Sequence, residues 1–161
     1  MGIAMTHDIG KSLKAFYCGA GRLVAAGTGD NTAITGATIN RKTAGGIGFD
    51  SGKLVIAYHA VLTDTKTLSL AVEYQESADG SSWDTAVAML AATVVVTSAG
   101  GGAATGLYTF NVDLAARKQY VRFNFTPDLS HTSTDVAEVA AVLVAGGSDV
   151  LPMVTADGSG G

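Results

Sequence analysis

Thr67-Leu68-Ser69-Leu70-Ala71-Val72-Glu73-Tyr74-Gln75-Glu76-Ser77, followed by Ala78-Asp79-Gly80-Ser81-Ser82-Trp83, decides how this chain folds. Leu68, Leu70, Val72 and Tyr74 alternate with Ser69, Ala71, Glu73 and Gln75, the period of two of a strand with one buried and one wet face. Asp79-Gly80 then reverses the chain, because Gly accepts positive φ without a Cβ clash and Asp closes a side-chain-to-backbone turn. A tight turn is expected over Ser77–Trp83, with Asp79, Gly80 and Trp83 as its structural residues and the Trp83 ring packed at the base of the hairpin. The partner strand is Ala86–Val96. Its first half has good helix propensity, but Thr93-Val94-Val95-Val96-Thr97 is β-branched, so the whole stretch reads as strand with a bulge near Leu90.

The same periodicity recurs on both sides. Downstream, Ser98–Gly106 reads as a Gly/Ala-rich loop, Tyr108–Leu114 as a half-buried strand and Asp113–Arg117 as one helical turn. Tyr120–Thr126 reads as a strand ended by Pro127, and a last strand spans Asp135–Ala145 up to Gly146-Gly147. Upstream, Lys53–Leu62 is apolar on both phases, which predicts cover on both faces. Ile34–Arg41 reads as a strand, and Lys14–Cys18 and Arg22–Ala26 as two short ones separated by Gly19-Ala20-Gly21. About eight strands with no alternating helices define an all-β chain, an antiparallel β-sandwich of jelly-roll type. The expected organisation is an N-terminal arm with first edge strands over residues 1–30, a sandwich over 31–149 and a flexible tail over 150–161.

With 161 residues there is enough chain for one core and no call for a second domain. Charged residues are 15% of the chain against about 25% in ordinary soluble domains, which suits a surface covered by neighbours. A net charge of −4 with scattered Lys and Arg excludes a nucleic-acid footprint. The apolar runs Ala86–Ala92 and Ala137–Gly147 fall short of the ~20 residues of a membrane helix, and the first residues lack the apolar core of a secretory signal. A soluble protein made in a cytoplasm is expected. Met1–Thr6 fits a myristoylation pattern, one too short to carry weight by itself.

Nothing legible supplies catalysis, a metal site or a cofactor site. His7, His59 and His131 are far apart and lack the spacing of a ligand pair, and His59 reads as a hydrogen-bonded core or inter-strand residue. Cys18 stands alone and reads as a small buried apolar side chain. No Gly-x-Ser-x-Gly elbow marks a nucleophile, and Gly19-Ala20-Gly21 lacks the helix and acidic residue of a dinucleotide loop. Asp79, Asp84, Asp128 and Asp135 sit beside turns without the alternation of a calcium loop. Ser77–Trp83 is similar to the Asp-box of sialidase-like propellers, but one residue is missing between Asp79 and Gly80 and the motif occurs once.

Taken together, Glu73-Tyr74-Gln75-Glu76-Ser77, the Asp79-Gly80 turn, Trp83, Tyr120-Val121-Arg122-Phe123 and the closing Val144–Pro152 resemble jelly-roll head decoration, or capsid cement, proteins of tailed bacteriophages. The resemblance runs from Ile34 to Pro152 and implies a non-enzymatic virion protein on the outer capsid surface. It implies a homo-oligomer, a trimer, that braces contacts between major capsid protein subunits, with no nucleic acid and no membrane as partners. Apolar residues without strand alternation, Ile3, Met5, Ile9 and Leu13 at one end and Val150, Leu151, Met153 and Val154 at the other, are the candidate interface residues of two attachment arms. A tail or head-tail connector component and a carbohydrate-binding sandwich are the competing readings.

Overall fold

The computed structural model describes residues 13–42 and 48–147. Eight strands follow in order: β1 (Lys14–Val24), β2 (Ile39–Asn40), β3 (Ser51–Leu62), β4 (Thr67–Ser77), β5 (Val87–Thr97), β6 (Gly102–Asp113), β7 (Tyr120–Leu129) and β8 (Val136–Gly146). They form two four-stranded sheets ordered β1-β8-β3-β6 and β2-β7-β4-β5. Every ladder is antiparallel, and β1 pairs with β8, β2 with β7, β3 with β6 and β4 with β5. The chain is therefore one long hairpin whose tip is the β4–β5 connection and whose successive rungs fall alternately into the two sheets. That is the eight-stranded jelly roll.

Alternation drives the packing. On β4 and β7, Leu68, Leu70, Val72, Val121, Phe123 and Phe125 point inward and are buried. They meet Leu54, Ile56 and Ala60 of β3 and the run Ala137, Val139, Ala141 and Leu143 of β8 in a single core. Cys18 lies in it with no exposed surface, its thiol donating to the Phe16 carbonyl at 3.6 Å.

β1 is one strand, not two. The Gly-Ala-Gly stretch is absorbed as a β-bulge, with the register against β8 shifting between Tyr17 and Gly19. Gly19 has φ +148°, and a Cβ there would stand 3.2 Å from the Phe125 ring, so glycine serves both the backbone and the close approach of the sheets. The expected strand over Ile34–Arg41 shrinks to Ile39–Asn40 and one bridge, Ile34 to Phe125. Gly36 crosses β7 there against the Phe123 backbone, leaving no room for a side chain, and its N–H goes to the Asn124 side chain at 3.1 Å.

Pro127 does not end β7, which continues to Leu129. β2 reaches only Tyr120 and Val121, so among the described residues no second ladder exists beside Pro127 for the ring to interrupt, and the Pro127 carbonyl accepts the Asn31 N–H at 3.0 Å. Residues Gly102–Gly106, expected in a loop, form the first half of β6; Gly106 lies opposite Tyr58, whose phenol covers the place a Cβ would take. Asp113–Arg117 makes a turn closed by the Arg117 N–H on the Leu114 carbonyl at 3.1 Å, without a helix. β5 is strand throughout and breaks register between Leu70 and Val72 of β4, opposite the Leu90 region where a bulge is expected.

Gly19→Ala is expected to lower stability by about 1–3 kcal/mol, since the methyl group meets both an unfavourable φ and the Phe125 ring; chemical denaturation measures it. Burial pushes the Cys18 thiol up to about 11, a rise only partly countered by a backbone hydrogen bond from Leu143. Native protein is therefore expected to resist iodoacetamide near neutral pH and to react fully once unfolded, as intact-mass spectrometry would record.

Candidate interaction surface

The β4–β5 connection is a loop over residues 78–86 and wider than a tight turn. Asp79 organises it as its sequence predicts: Oδ1 accepts the N–H groups of Ser81 at 2.8 Å and Ser82 at 2.7 Å and the Ser77 hydroxyl at 2.9 Å. These donors hold its carboxyl well below the usual carboxylate range. The Gly80 N–H donates to Ser77 Oγ at 2.9 Å, and Gly80 takes φ +78°. Trp83 is half-buried, and the Arg122 guanidinium lies 4.2 Å from its ring centroid. That stacking occupies a face of the indole which a sugar would need.

Two buried polar residues carry no local sequence signal. Arg41, 4% exposed, donates from Nε to the Lys118 carbonyl at 2.8 Å and from Nη2 to the carbonyls of Ala115, at 3.3 Å, and Arg117, pinning the β6–β7 loop from across the barrel mouth. Asp135, 1% exposed, accepts the Thr63 N–H at 2.9 Å and hydroxyl at 2.6 Å, while its own carbonyl takes the Ala25 N–H at 2.9 Å. It joins the ends of β1, β3 and β8. Asp84 pairs instead with Lys118 Nζ at 2.6 Å, and Asp128 lies on β7 opposite Ser69, so the four turn aspartates do not converge. Among the described residues no three His, Cys, Asp or Glu gather as metal ligands.

A cleft of about 250 Å³ opens between the sheets, lined by Tyr74, Met89, Val112, Leu114, Arg117 and Phe123 among others. Arg117 at this cleft is engaged already: it donates to Tyr74 Oη at 2.6 Å and Glu76 Oε1 at 2.9 Å. No Ser, Cys or His is among the described residues that line the cleft.

The two outer sheet faces differ in how their polar residues are arranged. On the β7–β4 part of the β2-β7-β4-β5 sheet, Gln75 Oε1 accepts from Arg122 Nε and Asn124 Nδ2, each at 2.9 Å, with Glu73 and Asp128 nearby on the same face, a hydrogen-bonded polar patch; β5 of the same sheet exposes Val87 and Val94. The β1-β8-β3-β6 sheet presents small and apolar side chains instead. Reading across the register, Tyr17, Val142, Val55 and Thr109 form one row; Ala20, Ala140, Ala57 and Leu107 the next; Val24, Val136, Val61 and Ala103 another. Polar residues break these rows twice: Arg22, Glu138, His59 and Thr105 form one row, and the exposed Lys53 and Asn111 share another with Ala15 and Val144. His59 is thus exposed on an open face between Glu138 and Thr105, the inter-strand alternative and not the core one, and the expected cover on both sides of β3 fails because no layer lies over this sheet among the described residues. Tyr17 is 62% and Leu107 66% exposed.

Of the candidate arm residues, Leu13 is described and is 43% exposed; Ile3, Met5, Ile9, Val150, Leu151, Met153 and Val154 lie outside the described residues. No helix among the described residues is long and apolar enough to cross a membrane.

No protein-family model matches the chain, and no curated protein matches it. Among solved structures, the chain is similar to the Gx strain structure of infectious bursal disease virus at 13% identity and TM-score 0.45, over 84% of this chain and 38% of that one. It is similar to the VP2 subviral particle of the same virus at 8% identity and TM-score 0.47, over 83% of this chain and 32% of that one. A carbohydrate-binding module of Cellvibrio mixtus lichenase 5A, in complex with cellotriose, aligns at 15% identity and TM-score 0.28, over 82% of this chain and 90% of that one. The chain thus spans about a third of the length of the two viral chains. Likeness at this level establishes neither family nor function.

Trp83→Ala is expected to cost about 1–2 kcal/mol, the worth of a half-buried ring and one cation–π contact, rather than the 3–5 kcal/mol or so of a fully buried aromatic. Thermal melts would measure the loss, and glycan-array binding is expected to be absent in both native protein and variant.

Proposed function

We propose that this protein is a structural virion component that binds the outer surface of a bacteriophage capsid and stabilises contacts between major capsid protein subunits. The observation that carries the reading is the outer face of the β1-β8-β3-β6 sheet, uncovered among the described residues, where rows of Ala and Val and the exposed Tyr17 and Leu107 form apolar patches on either side of the Arg22, Glu138, His59 and Thr105 row. Such a patch on a soluble domain marks a protein interface more readily than a small-molecule site. The eight-stranded jelly roll and the resemblance to phage decoration proteins agree with it, and the polar rear face suits exposure on a particle.

In this reading the protein acts by multivalent contact. Many copies on a symmetric lattice each add a modest bond, and together they raise the barrier to capsid opening. The segments that carry Ile3, Met5, Ile9 and Leu13 and Val150, Leu151, Met153 and Val154 serve as arms that reach neighbouring subunits.

The test is addition of purified protein to phage capsids that lack it. Saturable binding with a higher capsid melting temperature is expected, reduced in Tyr17→Glu and retained in a substitution on the polar face such as Glu73→Gln. Loss of binding on removal of residues 1–14 alone would place the attachment in the arm. No binding to capsids, with binding instead to isolated tails or connectors, would replace this reading with the tail-component one.

A further inference from the structure

A sheet edge presents unpaired N–H and C=O groups, and natural proteins blunt such edges with bulges, charge or brevity. Three of the four edges here are blunted. β1 carries a bulge at Cys18-Gly19 together with Lys14 and Arg22, β2 is two residues long, and β5 breaks register three times against β4. β6 is the exception. Its ladder with β3 is unbroken from Gly102 to Asp113, it has no Pro, and it bears no charge before Asp113 at its end. Among the described residues β3 is its only neighbour.

We propose that β6 pairs antiparallel with β6 of a second copy about a two-fold axis at Leu107, making one continuous eight-stranded sheet from the two β1-β8-β3-β6 sheets. The sequence of the strand is self-complementary in this arrangement. Its first half is small, Gly102-Ala103-Ala104-Thr105-Gly106, and its second half large, Tyr108-Thr109-Phe110-Asn111-Val112. Antiparallel pairing centred on Leu107 sets Gly106 opposite Tyr108 of the second copy, Thr105 opposite Thr109, Ala104 opposite Phe110 and Gly102 opposite Val112. Every flanking pair then joins a smaller residue to a larger one or Thr to Thr, a favourable cross-strand pair. The two Asp113 carboxylates fall at opposite ends. A parallel pairing would stack large on large and bring the aspartates together.

The side chains fit the same axis. Leu107, the most exposed large apolar residue of the described chain, meets its own copy at the two-fold, and the half-buried Tyr108 and Phe110, with ring centroids 5.1 Å apart, gain cover at the open side of the sandwich. The contact is isologous and closes at two copies. It does not rest on the capsid reading, because it concerns only the protein with itself.

Sedimentation equilibrium of the full chain at micromolar concentration tests it. The native protein is expected to run as two copies, Leu107→Lys and Leu107→Glu each as one, with dimerisation weakened by about 100-fold or more by like charges at the axis. Mixing the two variants is expected to restore a two-copy species, which a merely misfolded variant would not do; circular dichroism of each confirms the fold. A monomeric native protein, a native trimer, a dimer that survives Leu107→Lys, or failure of the mixed variants to associate would each overturn the proposal.

Discussion

The close approach of the Phe125 ring to Gly19 holds the two sheets in register where the chain enters the sandwich. Among the described residues β1 is an edge strand without a hairpin partner next to it in sequence, and only β8, more than a hundred residues on, pairs with it. The bulge at Cys18-Gly19 turns the strand inward, and the missing Cβ lets the ring sit on the backbone. Ile34 packs at the same place, against Gly19 and Gly21, while bridging to Phe125 through its backbone. One aromatic ring thus ties together β1, β7 and the segment before β2. Interiors packed at crystal-like density transmit a change at such a point to every neighbour.

How much of this was readable depends on whether the determining contact is local. β4, β7 and β8 announce themselves because alternation of Leu, Val and Phe with polar residues is a local consequence of burying one face. Asp79 and Gly80 are readable for the same reason, since an Asp side chain closes its own turn. The Gly residues misled wherever their cause was distant: Gly19 is set by Phe125, Gly36 by the backbone of Phe123, and Gly106 by the Tyr58 ring, and none of these partners is nearby in sequence. Val55 and Val61 alternate with Leu54 and Leu62, and only the absence of a covering layer among the described residues makes their face an outside one. Arg41 and Asp135 are buried because loop carbonyls and Thr63 converge on them, which no composition or spacing announces.

The polar network of Gln75, Arg122 and Asn124 lies on one sheet and the Ala/Val rows on the other, with Arg22, Lys53 and Glu138 set among the rows and Val87 and Val94 exposed on β5. A chain with so few charges has placed most of its side-chain hydrogen bonding on one sheet and in its loops. The sheet with the Ala/Val rows is also the one that β6 ends. An unbroken edge without charge before Asp113, beside the exposed Leu107, is an association hazard in a free monomer, and it becomes an asset when the protein works as an assembly part.

Lys14 lies opposite Ala145 in the β1–β8 ladder, so the described chain enters and leaves the sandwich at adjacent points of one sheet. Every other ladder is nested inside this one, which gives the fold a high mean sequence separation between partners and makes its closing step entropically demanding. A circular permutant that links these points and opens the chain in the 78–86 loop would turn the outermost rung into a short hairpin and the innermost into the long-range closure. All the contacts of the native state would survive, while the order in which they form would be turned inside out.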